Sequence, residues 1–431
     1  MTRRAVHLAG GARTPFLKAR GAPGPFTPVD LAVQCGRPLL LRLGLAPDAF
    51  DRVILGCVNV VAHETNPARV AALRLGLSPD TVAYGVQINC GSGMQSIDLG
   101  WRMIRDGDAD LVLAGGAEAL SHAPLTMSED AVRWYAKFAG AKGALDTART
   151  LGELRPGRLK PVVGLAQGLT DPITDLNMGQ TAEVLSHRFD VSREAADRYA
   201  RRSHLRLARA QAEGWLDDEI ESAFDRDGEG YVRDDGVRPD TTLERLAALP
   251  PAFEAPYGKV SAGNASQITD GACWTVLASD AGLARHGLAS LARIVDAEWS
   301  ALDPSIMGLA PVTCSTRLLC RQGLGCGDVG VWELNEAFAA QVLACLAAWA
   351  DERFCREVLG LDAVFGAIEP DRLNPDGGAI ALGHPVAASG NRIVLHLAHA
   401  MRRLGARRGV ATECIGGGQG GAMLLEREAR A

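Results

Sequence analysis

The same succession of turn, helix and strand occurs twice in this chain of 431 residues. The first copy has Ser92-Gly93, the helix positions Ile97, Trp101 and Ile104, and the strand pair Leu113-Ala114; the second, at one constant offset, has Ser389-Gly390, then Val394, Ala398 and Met401, then Val410-Ala411. One offset shared by three elements suggests two copies of a single unit. We therefore expect two α/β halves packed together with both Ser-Gly turns near a common axis, and the seam between such halves is a common place for a site.

Predicted strands alternate with predicted helices in both halves, as is typical of layered α/β proteins. Apolar runs predict strands at residues 5–9, 52–57, 82–88, 111–114, 259–262, 272–278, 293–295, 329–334 and 409–412, and apolar periodicity predicts helices at 31–43, 68–75, 179–189, 193–213, 313–321, 336–348 and 391–404. Strand signals nearly vanish between residues 121 and 258. We therefore predict an N-terminal half formed by 1–120 and 259–288, a mostly helical loop domain inserted at 121–258, and a C-terminal half at 289–431.

The composition argues against several classes of protein. A net charge of −6 without a dominant Lys/Arg tract disfavours a nucleic-acid-binding function. No apolar run approaches the roughly eighteen residues of a membrane span, and the N-terminal sequence MTRRAVHLAGGARTP lacks the apolar core of a signal peptide. Ten cysteines without a CxxC pair are typical of a reduced, cytoplasmic protein and give no indication of a metal site.

Cys90 is a candidate nucleophile. It lies between the predicted strand at 82–88 and the helix that carries Ile97. A thiol at a helix N-terminus faces free N–H groups and the positive end of the helix dipole, and both favour the thiolate. The alternative is a buried structural cysteine, which is a common fate for a free Cys.

The second half supplies polar groups that such a thiol would need. His384 lies on the glycine-rich stretch GGAIALGHP before the repeated helix, and a His within reach of a thiol can take its proton. A capping or packing role is the alternative for this His. Asn335 follows a predicted strand, so it could hold a water or donate to a carbonyl oxygen, and it could also be the N-cap of the next helix.

Cys414 ends a predicted strand and is followed by the glycine run GGGQGG. The free backbone N–H groups of such a run suit an oxyanion hole. Two cysteines, one His and glycine-rich loops together fit acyl transfer through a thioester, with a separate base that forms a carbanion.

The stretch AVRWYAKF at 131–138 combines aromatic and basic residues. It could contact a membrane surface, a partner protein or an acyl chain. The alternative is an amphipathic helix that packs on its own domain.

Five stretches, in order along nearly the whole chain, resemble the motifs of the thiolase family. They are NCGSGM (89–94, the nucleophile motif), SAGNASQITDGA (261–272), LNEAFAAQ (334–341, the NEAF motif), NPDGGAIALGHPVAASG (374–390, the GHP motif) and CIGGGQGGAM (414–423, the C-terminal cysteine motif). The chain is most similar to the β subunits of fatty-acid oxidation complexes. The resemblance implies a five-layered α-β-α-β-α fold of two similar halves, with a loop domain that covers coenzyme A.

The resemblance also implies catalytic roles. Cys90 is the residue that is acylated. His384 activates Cys90 and, together with a water held by Asn335, binds the thioester oxygen. Cys414 takes or returns the α-proton of the acyl-CoA, and the N–H groups of Cys90 and Gly416 form a second oxyanion hole.

Substrate contacts follow from the same resemblance. Ser266 and Ala262 match positions that contact the pantetheine arm of coenzyme A, and Met178 matches a Met in the acyl pocket. Coenzyme A is a substrate in this chemistry, and neither a metal nor a redox cofactor is needed. The implied assembly is a homodimer or homotetramer, and a complex with a hydratase/dehydrogenase subunit could form through the insertion.

The implied reaction is thiolytic cleavage of a 3-ketoacyl-CoA in fatty-acid β-oxidation. One alternative is a biosynthetic thiolase that forms acetoacetyl-CoA. A ketoacyl synthase would use two histidines with its cysteine, which Cys414 argues against. A non-catalytic thiolase-like protein that binds acyl-CoA or lipid would be expected to have lost a catalytic group.

Three positions depart from the family pattern. Asn177 replaces a His that many short-chain biosynthetic members have, and Asn335 stands where β-subunit relatives often have His. Ala387 stands where the family usually has Gly in the GHP motif, and its extra bulk is expected to reshape the edge of the acyl pocket and so to affect chain-length preference.

Overall fold

A computed structural model describes residues 3–427 of the chain. Its strands are β1 (Val6–Arg13), β2 (Leu17–Lys18), β3 (Arg52–Gly56), β4 (Val82–Val86), β5 (Leu111–Ala119), β6 (Leu125–Met127), β7 (Pro161–Val163), β8 (Ala223–Phe224), β9 (Gly230–Tyr231), β10 (Thr269–Ser279), β11 (Ala292–Ala301), β12 (Val331–Leu334), β13 (Arg408–Ile415) and β14 (Gln419–Glu426). Its helices are α1 (Pro28–Leu43), α2 (Pro67–Arg74), α3 (Ser92–Asp106), α4 (Glu129–Ala139), α5 (Ala144–Gly152), α6 (Gly164–Gly168), α7 (Met178–Arg188), α8 (Arg193–Ala212), α9 (Leu243–Ala247), α10 (Asp280–His286), α11 (Ala310–Arg321), α12 (Ala339–Ala350), α13 (Glu352–Glu357), α14 (Ala379–Leu382) and α15 (Val386–Leu404). The ends of the predicted halves at 1–2 and 428–431 lie outside the described residues.

The main sheet contains the same strand arrangement twice. Its order is β12-β13-β14-β11-β1-β10-β5-β3-β4, with β2 beside β10. In the set β3-β5-β10-β1 and in the set β12-β13-β14-β11, the first pair is parallel and the next two are antiparallel. The two sets meet where β1 pairs with β11 at His7 and Leu8. The repetition predicted from the sequence is therefore present in the topology of the sheet.

Three large hydrophobic cores hold the five layers together. Helices α1 and α2 cover the outer face of the first strand set, and α11 and α12 cover the outer face of the second. Between the two sets, α3 and α15 share a central core to which the first half contributes Ile97 and Trp101 and the second half contributes Val394 and Met401. Each fully buried side chain of this size stabilises the fold by about 1.5–3 kcal/mol. The predicted α-β-α-β-α fold is confirmed.

The two central helices touch through their glycine backbones. A Cβ atom at Gly93 would lie 2.8 Å from the backbone N of Asn391, and a Cβ atom at Gly390 would lie 2.7 Å from the backbone N of Met94. These reciprocal contacts relate matching positions of the two copies. The two Ser-Gly pairs therefore meet, as the repeat predicted, but they lie in the helices α3 and α15 and not in turns.

The segment between β5 and β10 contains mainly helices, with the small ribbons β6–β7 and β8–β9. Within it, Ser192 caps α8 by accepting from Ala195 N. The stretch at 131–138 forms part of α4, where Trp134 stacks on Phe138 and donates to Thr150 O of α5. Helix α4 packs on α5, while its side chains Val132 and Tyr135 are more than half exposed. No helix among residues 3–427 is long and apolar enough to cross a membrane.

Several predicted element boundaries are wrong, chiefly because glycines do not end strands here. Strand β1 continues through Gly10-Gly11 to Arg13, and β5 continues through Gly115-Gly116 to Ala119. A Cβ atom at Gly116 would lie 1.9 Å from Ala387 O, so this glycine permits a close approach of α15 and does not form a turn. Such a strand is cut short in a prediction that treats every Gly as the end of a strand.

Other differences lie C-terminal to the inserted segment. The predicted strand at 259–262 forms only an isolated bridge, and the helix expected from 336 begins at Ala339. Strand β14 was not predicted because its glycines were interpreted as an open loop, whereas they form a ladder with β11 and β13. The predicted helix at 391–404 is confirmed, but it begins earlier, at Val386.

Candidate active site

Cys90 lies in a tight turn between β4 and α3. The preceding Asn89 has a φ of 45°, a left-handed conformation that Asn tolerates better than most residues. The Ser92 hydroxyl donates to Asn89 O at 2.7 Å and accepts from Ile88 N at 2.9 Å. These bonds hold the turn, so that Cys90 is presented one residue before the helix N-cap at Gly91.

The backbone N–H groups of Gly416 and of Cys90 itself act on the Cys90 thiol in the direction that lowers its pKa. Burial outweighs them and, with smaller contributions from the nearby Glu413 and Glu118, raises the pKa of this thiol to about 12. The prediction that the helix N-terminus would favour a thiolate is therefore wrong for the unliganded chain. Desolvation outweighs the dipole, and Cys90 carries its proton at neutral pH.

A cavity of about 630 Å³ opens beside Cys90. Met178 and Gly416 both line it, and Asn89 Nδ2 fixes the glycine turn by donating to Gly416 O at 3.0 Å. Most of the remaining lining is apolar and includes Leu120 and Leu165. The volume is in the usual range for small-molecule pockets.

His384 is buried, and its Nδ1 lies 2.6 Å from Ser389 Oγ. The Ser389 hydroxyl is also placed to donate to Pro385 O at 3.1 Å, which leaves its oxygen to accept from Nδ1–H. Burial lowers the pKa of His384 to about 4, so the ring is neutral at pH 7. Its Nε2 has no hydrogen-bond partner among the described residues. That nitrogen is therefore free to act as a base.

Asn335 is 1% exposed, and neither its Oδ1 nor its Nδ2 has a partner among residues 3–427. Buried amides are normally paired, so this pair of atoms indicates a place for a water or a substrate. The alternative role as a helix cap is excluded because α12 begins at Ala339 with Phe338 as its N-cap. Glu336 anchors the segment by accepting from Tyr199 Oη and Ser203 Oγ.

Cys414 is almost fully buried near the end of β13, in a small apolar cluster with Ala337 and Phe338. Burial raises the pKa of its thiol well above the usual value, and the proximity of Cys90 raises it further. Two protonated thiols therefore lie near each other at neutral pH.

One loop joins these groups. Ser266 N donates to Ala337 O at 2.9 Å, and Gln267 O accepts from His384 N at 3.0 Å. The loop thereby connects the segment after Asn335 with the His384 loop. Ser266 is half-buried and Ala262 is exposed, and neither belongs to the lining of the cavity beside Cys90. Their predicted contacts with coenzyme A remain a prediction.

Glu118 is a site residue that the sequence analysis did not single out. Its carboxylate accepts from the backbone N–H groups of Asn59 at 2.8 Å, Ala387 at 3.2 Å and Val58 at 3.3 Å. It therefore joins one wall of the cavity to the first turn of α15, just after His384. The available signal was a charged residue inside the apolar strand LVLAGGAEA.

The departure at Ala387 has a different consequence from the one expected. Ala387 is fully buried between α3 and β5, and it does not line the cavity, whereas the neighbouring Val386 does. The expectation that the Ala387 methyl reshapes the pocket edge is therefore wrong for direct contact. Asn177 is the N-cap of α7 in a capping box with Gln180, so its side chain is occupied by the helix.

One group of side chains could meet at a metal ion. Ligand atoms of Glu183, His187 and Glu254 lie within 4.8 Å of one another. The two oxygens of Glu183 already accept from the backbone N of Lys259 and of Val260, and the other two side chains are exposed. The expectation that the chemistry uses no metal stays a prediction.

Comparisons with known proteins agree on one family. The description "Thiolase, N-terminal domain" matches residues 6–281, and "Thiolase, C-terminal domain" matches residues 288–427. The chain is 37% identical over 432 aligned residues to the mitochondrial 3-ketoacyl-CoA thiolase of Bos taurus, with 99% of each chain covered. It is 40% identical over 432 aligned residues to the 3-oxoadipyl-CoA/3-oxo-5,6-dehydrosuberyl-CoA thiolase of Escherichia coli, covering 98% of this chain and all of the relative.

A solved structure shows the same fold. The human mitochondrial 3-ketoacyl-CoA thiolase in complex with CoA superposes with a TM-score of 0.84 at 35% identity, covering 99% of this chain and 98% of the other. The similarity therefore extends over the two halves and the segment between them.

Proposed function

The chain belongs to the thiolase family and is an acetyl-CoA acyltransferase, and from this premise we propose that it cleaves 3-ketoacyl-CoA thiolytically to acetyl-CoA and a shortened acyl-CoA. One observation carries the proposal. The Cys90 thiol lies at a mainly apolar cavity that Gly416 also lines, while His384 Nε2 and both amide atoms of Asn335 are buried without partners among the described residues.

In the first half-reaction, the Cys90 thiol gives its proton to His384 Nε2 as the sulfur attacks the 3-keto carbon. The N–H groups that now act on the thiol are placed for the oxygen that becomes negative. The bond between C2 and C3 then breaks. The electron pair passes to the enolate of acetyl-CoA, which takes a proton from Cys414, and the acyl group stays on Cys90.

In the second half-reaction, Cys414 takes the proton of free coenzyme A. The resulting thiolate attacks the acyl carbon, and Cys90 leaves and recovers its proton from His384. Protons therefore balance over the cycle without a cofactor. The enolate is the costly species, and donors held in place by the fold, His384 and a water on Asn335, would stabilise it.

We further propose that the substrates are fatty acyl chains undergoing β-oxidation. The volume and the apolar lining of the cavity favour a chain longer than that of acetoacetyl-CoA. The test is thiolysis of acetoacetyl-CoA and of 3-oxooctanoyl-CoA by the purified protein. We expect kcat/KM to be at least about tenfold higher for the longer chain, since each buried methylene contributes about 0.8 kcal/mol.

The biosynthetic alternative, formation of acetoacetyl-CoA, predicts the opposite order of kcat/KM. Turnover of neither substrate, with Cys90 shown to be reduced, would overturn the proposed activity. It would favour the non-catalytic alternative, against which the presence of all four groups, Cys90, Asn335, His384 and Cys414, argues.

The assembly and location are proposals as well. We propose a cytoplasmic homodimer or homotetramer that binds acyl-CoA and coenzyme A. The exposed apolar side chains of Leu125, Val132 and Tyr135 are a candidate surface for a hydratase/dehydrogenase subunit. Light scattering of the wild type would measure the size of the homo-oligomer. The same measurement on a Val132→Asp, Tyr135→Asp variant, alone and mixed with a hydratase/dehydrogenase subunit, would test the candidate surface. A variant that keeps its homo-oligomer but no longer binds the other subunit would support that surface.

A further inference from the structure

We propose that the acyl pocket selects 3-ketoacyl-CoA substrates with an uncharged, apolar tail and rejects those whose tail ends in a carboxylate close to the reacting carbon. The inference rests on the proposed thiolytic function and concerns the substrate class of the same site. It separates this chain from the Escherichia coli relative, whose name includes 3-oxoadipyl-CoA.

The lining of the cavity offers no cation to a carboxylate. Among the described residues of the lining, Asp171 is the one charged side chain, and no Lys, Arg or His is present. Asp171 Oδ1 is already occupied, because it accepts from the N–H groups of Ile173 at 2.9 Å and Thr174 at 3.0 Å. A carboxylate on the substrate would therefore meet a like charge and no counter-ion.

The surroundings of Cys90 also disfavour a further negative charge. The acidic groups that act on its thiol are Glu413 and Glu118. Glu413 is buried, and neither of its oxygens has a partner among residues 3–427. Burial raises the pKa of both carboxyl groups, that of Glu118 to about 7, so the surroundings of Cys90 disfavour the ionised form of a carboxyl group.

Backbone donors close to Cys90 are already used. The N–H groups of Val58 and Asn59 belong to a wall of the cavity, and both donate to Glu118. The N–H of Gly416 is directed at Cys90. An anion in the pocket would thus compete with existing acceptors for every one of these donors.

The position of the charge follows from the chemistry. Cleavage of 3-oxoadipyl-CoA leaves a succinyl group on the sulfur of Cys90, with its free carboxylate roughly 5 Å from that sulfur. A methyl group at this place is compatible with the apolar lining, which includes Leu169 and Met178. A carboxylate there would be buried and unpaired, which costs far more than burying a methyl group.

The test compares 3-oxohexanoyl-CoA with 3-oxoadipyl-CoA, which have the same number of chain carbons and differ in the terminal group. We expect kcat/KM to be about a hundredfold or more higher for 3-oxohexanoyl-CoA. Equal values, or a preference for 3-oxoadipyl-CoA, would overturn the inference and leave the thiolytic function intact. Cleavage of neither would overturn the function and the inference together.

A variant tests the electrostatic reason. Leu169 lines the cavity and is half-buried, so Leu169→Lys can add a cation whose stem packs as the leucine does. We expect the preference for 3-oxohexanoyl-CoA to fall by about tenfold or more in this variant and to stay unchanged in the neutral control Leu169→Met. An unchanged preference in Leu169→Lys, with cleavage of 3-oxohexanoyl-CoA retained, would show that charge does not set the selectivity.

Discussion

The Cys90 thiol and the His384 imidazole are both neutral at pH 7. Burial raises the pKa of Cys90 to about 12 and lowers the pKa of His384 to about 4, so a thiolate–imidazolium pair is disfavoured in the unliganded protein. Substrate binding therefore has to coincide with proton transfer to Nε2. This arrangement protects the thiol from adventitious reaction, since only the thiolate is an effective nucleophile.

The high pKa of Cys90 predicts how its alkylation depends on pH. Below a pKa of about 12 the thiolate fraction rises about tenfold per pH unit. We therefore expect the rate constant for reaction of Cys90 with iodoacetamide to increase continuously from pH 6 to pH 10. Peptide mass spectrometry would follow Cys90, with the exposed Cys320 as a reference thiol in the same sample. A plateau that begins at pH 7–8 would indicate an ion pair instead.

Cys414 is expected to matter more for the α-proton than for acyl transfer, in which it only takes the proton of free coenzyme A. In Cys414→Ala, thiolysis should fall by about 10²–10⁴ because the enolate loses its proton donor. Exchange of label between acetyl-CoA and coenzyme A, which needs Cys90 but no carbanion, should persist at a larger fraction of the wild-type rate. The buried Cys35 of α1 provides the control: Cys35→Ala should leave both rates near wild type. Equal loss of both reactions in Cys414→Ala would refute the assignment.

At the residue scale, sequence motifs indicate the proposed catalytic residues, but they seldom indicate the residues that position them. Cys90, His384, Asn335 and Cys414 stand in recognisable local patterns. Ser389 and Glu118 do not, because their partners at Nδ1 of His384 and at the backbone of Asn59 are set by tertiary packing. The pKa of Cys90 could not be predicted either, since a helix N-terminus is visible in sequence and desolvation is not.

At the scale of elements, strand β5 connects two parts of the site through Glu118. Replacing this residue by Gln exchanges one acceptor oxygen for an NH₂ group. At least one of the backbone N–H groups of Val58, Asn59 and Ala387 then loses its acceptor. We expect kcat/KM of Glu118→Gln to fall by about tenfold or more, mainly through kcat, in steady-state assays.

Asp51 provides a matched control for Glu118. It accepts from the backbone N–H groups of Asp110 and Leu111 at the opposite end of β5. Asp51→Asn should lower stability without changing kcat/KM. Equal kinetics in Glu118→Gln and wild type would show that the carboxylate has a structural role alone.

The contact between α3 and α15 predicts a strong effect at Gly390. A Cβ atom there would lie 2.2 Å from Glu413 Oε1 and 2.7 Å from Met94 N, so Gly390→Ala should destabilise the protein by about 2–3 kcal/mol. Gly152, in the open at the end of α5, is the control, and Gly152→Ala should be neutral or slightly stabilising. Equal thermal unfolding midpoints for the two variants would contradict the packing.

Secondary-structure elements were predictable where the apolar residues follow a regular helical spacing. The helices α1, α8 and α15 are evident from apolar spacing, and the cap of α8 from Ser192. Strands rich in glycine were cut short or missed, as in β5 and β14, because the reason for the glycines is a neighbouring element that the local sequence does not contain.

At the scale of the whole molecule, the two copies of the repeated unit contribute different residues to the candidate site. The first copy places Cys90 before α3, and the second places His384 before α15 and Cys414 at the end of β13. The repeat was detectable because the offset is constant from turn to strand. Only the motifs indicated which copy carries which candidate catalytic residue, because the two copies share apolar packing positions but not these polar side chains.

The acyl group on Cys90 is the central claim, and it can be observed directly. The protein would be mixed with 3-oxooctanoyl-CoA in the absence of free coenzyme A, quenched in acid and digested, and the cysteine-containing peptides weighed by mass spectrometry. The account predicts a hexanoyl adduct on the Cys90 peptide that disappears when coenzyme A is added before the quench. An adduct on another cysteine, or turnover of the substrate with no adduct on Cys90, would contradict it.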